Sequence, residues 1–416
     1  MTAPHALRVI PVDDRAWLIA ALGDALAGGA PILPLAQGVD PAATEIEELR
    51  ARELPAGTAV VVRTSGSSGI PKAVALSAEA LRASAEATLD ALGGPGQWLV
   101  TLPAHLISGL QMLVRSAVTG IEPVFVPEGA DPHTLLDLAE TMEHERRYVS
   151  LVPVQLSRLL DLAESDRDAE DALKRFDAVL VGGQSVSLEL RRRCHALGVR
   201  LRRSYGMTET AGGCVYDGVE IGETRVRIRD GEVQLAGPTL ALGYLGDDAL
   251  TADRFVVDPD RDGTPVRWYR TGDSGELLGG MLTVTGRLDR VIVSGGVNVS
   301  LDEIERVAQE FPGWESTVAL ATPHPEWGER PCLVVEAAEA LETAEAVGPG
   351  ARRAAPFDEV REAIRTRLGA AAAPEWATEI ERLPRLAGGK PDLRAIETRV
   401  RDLRATSTEI REDGSE

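Results

Sequence analysis

The chain is predicted to be an α/β protein. A large N-terminal domain (residues 1–287) holds mixed, mostly parallel sheets with helices and a small β-barrel-like subdomain. A small α+β domain (residues 288–416) follows. Three observations predict this. From Thr58 to Arg203, short apolar runs alternate with stretches of helical periodicity, which implies strands joined by helical crossovers. After Gly213 the strand-like runs become short and turn-rich, as in a small antiparallel barrel or sheet. From Leu288 onward the pattern suits a smaller α+β domain, with one capping box opening a helix.

The elements follow in order. Trp17–Ala27 has apolar residues at helical spacing, and Pro31 and Pro34 stop it. Thr58–Val62 and Ala73–Leu76 are buried-type strands, and Ser77 caps a helix through about Leu92, with Glu79 in its first turn. Trp98–Leu102 is a strand leading into PAHLISGLQMLVRSAVTG, a loop and then an apolar helix. Pro123–Val126 is a strand, Leu135–Glu145 a helix and Tyr148–Val152 a strand. Val179–Val181 ends in Gly182-Gly183-Gln184, a helix spans Leu188–Leu197, and Val199–Arg203 delivers SYGMTET. The short strands are Arg225–Arg229, Glu232–Leu235, Val266–Tyr269 and Leu282–Val284. Ser300-Leu-Asp-Glu303 is a capping box opening a helix to Phe311. Ala337–Ala355 is an Ala/Glu/Gly-rich loop, and the polar, acidic tail after Thr406 is expected to be disordered.

Composition excludes some functions. The net charge of −21 argues against a nucleic-acid binder. Any anionic ligand therefore needs a locally basic site. Cys194, Cys214 and Cys332 have no CxxC spacing, so neither a zinc site nor a disulfide framework is indicated. The N-terminus lacks a basic-then-apolar leader and no apolar run reaches spanning length, so a cytoplasmic protein with no membrane insertion is expected.

The chemistry is concentrated in VVRTSGSSGIPKAVALS, Val61–Ser77. Thr64, Ser65, Gly66, Ser67, Ser68 and Gly69 offer hydroxyls and backbone N–H groups to an anion, and Lys72 adds a positive charge. The spacing is not that of the Walker loop, because Gly66 and Gly69 are too close and Ile70-Pro71 precede Lys72. SYGMTET (Ser204–Thr210), YRTGDSGEL (Tyr269–Leu277), GRLDRVIVSGGVNVSLDEIE (Gly286–Glu305) and AGGKPDL around Lys390 follow in order.

Together these motifs resemble the adenylate-forming superfamily of acyl-CoA and aryl-CoA ligases, peptide-synthetase adenylation domains and luciferases, over about Thr58 to Leu393. The resemblance implies a two-step reaction. A carboxylate attacks the α-phosphate of ATP to give an acyl-adenylate and pyrophosphate, and a thiol, that of CoA, then expels AMP. It implies Mg²⁺ and a C-terminal domain that is mobile between the steps. Thr208 and Glu209 then serve the α-phosphate and the metal, with Gly206 and Met207 beside them. Tyr205 stacks on adenine, and Gly182, Gly183 and Gln184 approach the base edge, an ordinary strand-to-helix turn being the other reading. Asp273 accepts the ribose hydroxyls, Arg287 is a second ribose or phosphate contact, and Asp289 is the hinge or a surface ion-pair partner. Lys390 covers the carboxylate and α-phosphate oxygens. Ser294, Gly295 and Gly296 line the CoA channel, or form a plain β-turn.

The Gly/Ser loop begins at Thr64, earlier than is usual in the superfamily. That shortened layout, with PAHLISGLQMLVRS and TETAGGCVYDG, resembles the o-succinylbenzoate–CoA ligase group of menaquinone biosynthesis. His105 stands where the resemblance places a group near the substrate carboxylate; the remaining histidines read as surface or packing residues. The second carboxylate of such a substrate needs a basic or multiple-donor partner, and Ser108, Gln111, Arg115, Arg202 and Arg203 are candidates, with at least one of Arg202 and Arg203 expected instead to pair with a surface acid. Gly212 and Gly213 are expected to leave room for a flat ring. Another aryl- or acyl-CoA ligase, a stand-alone domain loading a carrier protein, and a non-enzymatic nucleotide-binding module remain open, and a homodimer is one expected state.

Overall fold

The computed structural model describes residues 6–64, 72–259, 263–337, 354–386 and 389–412, with side chains through residue 403 in the last span. The chain divides into two units. The first comprises residues up to Val186, Leu190–Thr271 and Glu276–Thr283; the second comprises Ser187–Glu189, Gly272–Gly275 and Val284 onward.

The first unit is built on a seven-stranded sheet in the order Val219–Glu220, Gly212–Tyr216, Leu201–Met207, Ala178–Val181, Arg147–Leu151, Gln97–Val100, Val124–Phe125. The five strands from Leu201–Met207 to Val124–Phe125 are parallel, as the strand–helix alternation predicts. Gly212–Tyr216 returns antiparallel to Leu201–Met207. A five-stranded sheet joins Arg8–Pro11, Ile32–Leu35, Thr58–Thr64, Lys72–Ser77 and Gly243–Tyr244. Thr58–Thr64 and Lys72–Ser77 pair antiparallel, with Thr64 opposite Lys72. Between the sheets the helices Arg15–Leu26, Ala78–Ala91 and Ile107–Thr119 bury Leu18, Leu22, Leu81, Leu110 and Met112 against Val60, Val74 and Trp98. Ser77 caps its helix as expected, its hydroxyl accepting the Ala80 N–H at 3.0 Å.

The turn-rich stretch forms a third sheet in the order Arg225–Arg229, Glu232–Ala236, Pro265–Leu278, Phe255–Pro259, with Met281–Arg287 pairing Pro265–Leu278. In the second unit Val297–Ser300, Val291–Ser294, Gly328–Glu336 and Val318–His324 form a sheet, joined by Ala377–Ile380 parallel to Gly328–Glu336. The helices Leu301–Ala308 and Phe357–Leu368 bury Ile304, Val307, Val360 and Ile364 against it.

Several boundaries differ from expectation. The strand expected at Val266–Tyr269 runs Pro265–Leu278 and so carries Asp273 within it, and the helix expected to reach Phe311 ends at Ala308. The helix expected at Leu135–Glu145 runs Pro132–Glu140, because Asp131 caps it through the Thr134 N–H and Pro132 supplies the first turn. The strand expected at Val199–Arg203 runs Leu201–Met207 and so includes most of SYGM. The tail expected to be disordered after Thr406 continues a helix from Leu393 to Glu412, seeded by burial of Ile396 and Val400. The loop expected at Ala337–Ala355 falls almost wholly outside the described residues.

Candidate active site

In the first unit the site is built where Leu201–Met207 leaves the sheet. Thr208–Thr210 makes one 3₁₀ turn, and Ala211 and Gly212 then take positive φ (51° and 109°) to reverse the chain. The reversal is tight: a Cβ at Gly206 would lie 2.1 Å from the Gly212 carbonyl, so the sequence must carry glycine there. The Thr210 hydroxyl accepts the Met207 N–H at 3.0 Å and donates to the Gly212 carbonyl at 2.7 Å. The Gln111 amide donates to the Ala211 carbonyl at 2.7 Å, and the Ala241 N–H donates to the Glu209 carbonyl at 2.8 Å. The turn that carries Thr208 and Glu209 is therefore held from several sides.

Thr208 and Glu209 are both buried. The Tyr244 hydroxyl donates to Glu209 Oε1 at 2.8 Å, and the Tyr269 hydroxyl lies 3.4 Å behind it. Burial first, then the Glu209 carboxylate, pushes both phenols well above their ordinary range, so they stay protonated donors. The Lys72 ammonium stands 5.6 Å from the centroid of the Tyr244 ring. Lys72 and Glu209 are thus brought to one tyrosine, the first over its ring and the second at its hydroxyl. Among the described residues no cluster of three His, Cys, Asp or Glu forms a metal cage. A single carboxylate beside a hydroxyl suits Mg²⁺ that draws its other ligands from phosphate and water.

Thr64 ends its strand opposite Lys72, whereas Ser65, Gly66, Ser67, Ser68 and Gly69 lie outside the described residues. Gly182 follows Ala178–Val181, where a Cβ would come within 3.1 Å of the Ser204 carbonyl; Gly183 has φ 83°. Tyr205 is half-buried against a cluster containing Cys214, Val215 and Leu235, and Gln184 is half-buried after the glycine pair. Burial pushes the Cys194 thiol up to about 11 and that of Cys214 up to about 12, which makes both poor nucleophiles.

The helix Ile107–Thr119 supplies the second cluster. Its first turn lies hard against the preceding loop, a Cβ at Gly109 meeting the Pro103 carbonyl at 2.2 Å. Arg115 is 3% exposed, with its guanidinium carbon 4.5 Å from the Trp98 ring centroid. Among the described residues no carboxylate lies within ion-pair distance of it. Burial draws its pKa down, and Tyr216 opposes this weakly. The Tyr216 hydroxyl lies 2.8 Å from that of Thr88. Ser84 Oγ, Gln111 Oε1, Arg115 Nε and Ser116 Oγ are buried with no hydrogen-bond partner among the described residues. His105 is half-buried; its Nδ1 has no such partner, and burial lowers its pKa against a small opposing effect of Glu128. Ser108 is exposed.

Three expectations for this region are corrected. The Gln111 amide nitrogen is committed to the Leu81 and Ala211 carbonyls, so only its oxygen is available to a ligand. Arg202 and Arg203 both pair with Asp217, at 3.5 and 3.1 Å, so the surface ion pair expected of at least one holds for both and neither is left for a substrate carboxylate. Gly213 leaves no room for a ring, because a Cβ there would sit 2.1 Å from Ser204 Oγ and 2.9 Å from Tyr216 Cε1. Gly212 faces Gln111 Cγ at 3.1 Å and Ser84 Oγ at 3.7 Å.

In the second unit Asp273 is buried, and Arg287 Nη1 lies 3.3 Å from its Oδ1. The same guanidinium grips Asp289 through Nε and Nη2, both at 3.0 Å. Arg290 instead pairs with Asp302 and Glu305, each at 2.7 Å. Ser294, Gly295 and Gly296 close the hairpin between Val291–Ser294 and Val297–Ser300, both glycines having positive φ (56° and 81°). A Cβ at Gly295 would meet the Trp327 ring at 2.6 Å, whereas one at Gly296 meets nothing within 4 Å. Lys390 is exposed on a turn in which its carbonyl accepts the Leu386 N–H at 2.8 Å.

Residues 33–245 match the family of AMP-binding enzymes. A protein of Mycobacterium tuberculosis named "Probable 2-succinylbenzoate–CoA ligase" is 35% identical, covering 94% of this chain and 97% of its own length. The chain belongs to the AMP-binding enzyme family. Among solved structures, the amide bond synthetase McbA of Marinactinospora thermotolerans aligns with a TM-score of 0.68 at 26% identity, over 94% of this chain and 79% of that one. The o-succinylbenzoate CoA synthetase of Bacillus subtilis, in complex with its acyl-adenylate intermediate, aligns with a TM-score of 0.69 over 94% of this chain and 95% of that one. Its 21% identity shows the fold alone. Within this AMP-binding enzyme, Tyr244, Trp98 and Thr88 were missed in the sequence. Tyr244 lies in ALGYLGD, whose Gly-Tyr step carries no chemistry-bearing neighbour. Tyr269 opens a motif read for its Asp alone.

Proposed function

We propose that this AMP-binding enzyme is an ATP-dependent carboxylate–CoA ligase for o-succinylbenzoate, forming o-succinylbenzoyl-CoA, AMP and pyrophosphate. The observation that carries the substrate choice is Arg115, a buried guanidinium with no carboxylate within ion-pair distance among the described residues. A buried cation is costly unless something pairs with it, and the carboxylate of the substrate that is not activated is such a partner. The 35% identity to a protein of that name supports the same reading.

In the first half-reaction the succinyl carboxylate attacks the α-phosphate of ATP, and pyrophosphate leaves. The Thr208 hydroxyl donates to phosphate oxygen, and Lys72 and Lys390 supply positive charge. Glu209 would hold Mg²⁺, which neutralises phosphate charge when bound. Asp273 accepts from the ribose, with Arg287 beside it. In the second half-reaction the CoA thiol attacks the acyl carbon, its pantetheine arm passing the Gly295–Gly296 turn, and AMP leaves. Asp289 is the proposed hinge between the 1–287 and 288–416 domains, and the setting is cytoplasmic.

A panel of carboxylates with ATP and CoA tests the reading. o-Succinylbenzoate should give the CoA ester, and benzoate, succinate and short fatty acids should turn over at least tenfold less well, by roughly the worth of one charge-assisted contact. Better turnover of a monocarboxylate would overturn it. Gly296 offers a separate check. Gly296→Leu should keep ATP–pyrophosphate exchange and lose CoA ester formation. Gly296→Asn, which tolerates the φ of 81°, controls for backbone strain. Equal loss of both activities in Gly296→Leu would remove the turn from the CoA path.

A further inference from the structure

We infer that Tyr244 is the positioning residue of the nucleotide site, its hydroxyl setting the rotamer of Glu209 and its ring setting the place of Lys72. The inference rests on the assignment of Glu209 and Lys72 to the nucleotide.

Three observations lead to it. The hydroxyl donates to Glu209 Oε1 at 2.8 Å inside the protein, where a hydrogen bond to a carboxylate is strong and directional. Oε1 is thereby engaged by a protein donor. The Lys72 ammonium lies 5.6 Å from the same ring. These two groups carry opposite charge and answer opposite needs of a metal–triphosphate. Tyr244 engages each at a different part of its side chain, the carboxylate at its hydroxyl and the ammonium over its ring. The third observation is the support behind it. Tyr244 belongs to a two-residue strand paired to Val74 and Ala75, two and three residues after Lys72. Its ring packs on Phe255 at a centroid separation of 6.0 Å, and its hydroxyl lies 3.4 Å from that of Tyr269. The strand that places Lys72 thus also places the tyrosine, and the geometry of the pair is built before any ligand arrives.

The substitutions separate the two roles. Tyr244→Phe keeps the ring and removes only the donor. It should lower ATP–pyrophosphate exchange by roughly 10- to 100-fold, the span of a lost charge-assisted hydrogen bond. The Mg²⁺ concentration for half-maximal exchange should rise, and Mg·ATP should bind more weakly in equilibrium dialysis. Conversion of a supplied acyl-adenylate to the CoA ester should be unchanged, which a merely structural tyrosine would not allow. Tyr269→Phe, acting through the longer contact, should lose less. Tyr244→Leu should add a loss from the displaced Lys72; if it does not fold, Tyr244→Phe still decides the matter. In a double-mutant cycle, Tyr244→Phe should cost little more once Glu209→Gln is present. Additive losses, or wild-type exchange in Tyr244→Phe, would overturn the inference. Wild-type exchange in Glu209→Gln alone would instead remove the assignment beneath it.

Discussion

Lys390→Ala should abolish most ATP–pyrophosphate exchange while leaving a supplied acyl-adenylate to react with CoA at a near-normal rate. Lys390 is exposed on a turn held by the Leu386 N–H and flanked by Gly389 and Pro391, so its side chain is not part of the core. Its proposed task is to stabilise charge on the attacking carboxylate and the α-phosphate together, which arises only in the first half-reaction. Losing one preorganised contact of this kind costs on the order of 10²–10³ in rate. Both half-reactions should be measured on one preparation, with thermal unfolding as a check that the fold is intact. If the supplied adenylate also fails to react, Lys390 does not serve a single half-reaction, and the proposed movement of its domain between steps loses its main support.

Arg115→Met should separate binding from stability in the opposite sense to an ordinary core substitution. The guanidinium is buried over the Trp98 ring, and burial weakens its hold on its proton against an opposing effect of Tyr216. Methionine fills a similar volume without the desolvation cost, so the unfolding midpoint should stay the same or rise. The kcat/KM for o-succinylbenzoate should fall by roughly 30- to several-thousand-fold, corresponding to about 2–5 kcal/mol for truncating one partner of a buried charge pair. Turnover of a monocarboxylate such as benzoate should not fall. An equal loss for both substrates would show that Arg115 shapes the helix rather than the acyl specificity, and a large drop in unfolding midpoint would point the same way.

Much of the local structure that carries the candidate site residues was legible in the sequence because its signals are local. The Ser77 cap, the Thr208-Glu209 pair at a strand exit and the Gly295–Gly296 turn each depend on a few neighbouring residues. Periodicity of 2 and 3.6 residues, cap chemistry and the positive φ of glycine are properties of short segments, and they survive without knowledge of the fold. Where a local signal was underweighted, the boundary moved: Asp131-Pro132 starts its helix earlier than the apolar spacing suggested.

What the tertiary structure decided is which distant groups meet. Gln111 reaches the Ala211 carbonyl across 100 residues, and Tyr244 reaches Glu209 across 35. Arg202 and Arg203 turn to Asp217, while Arg115, one of several candidate cations in the sequence, is the one that the packing of Ala78–Ala91, Ile107–Thr119 and Gly212–Tyr216 buries without a carboxylate partner among the described residues. A segment determines its own backbone shape because its hydrogen bonds and rotamers close within a few residues. Whether a charge ends beside a carboxylate, an aromatic ring or an unfilled polar cluster depends on how the sheets bring remote segments together, and no spacing within one segment encodes that.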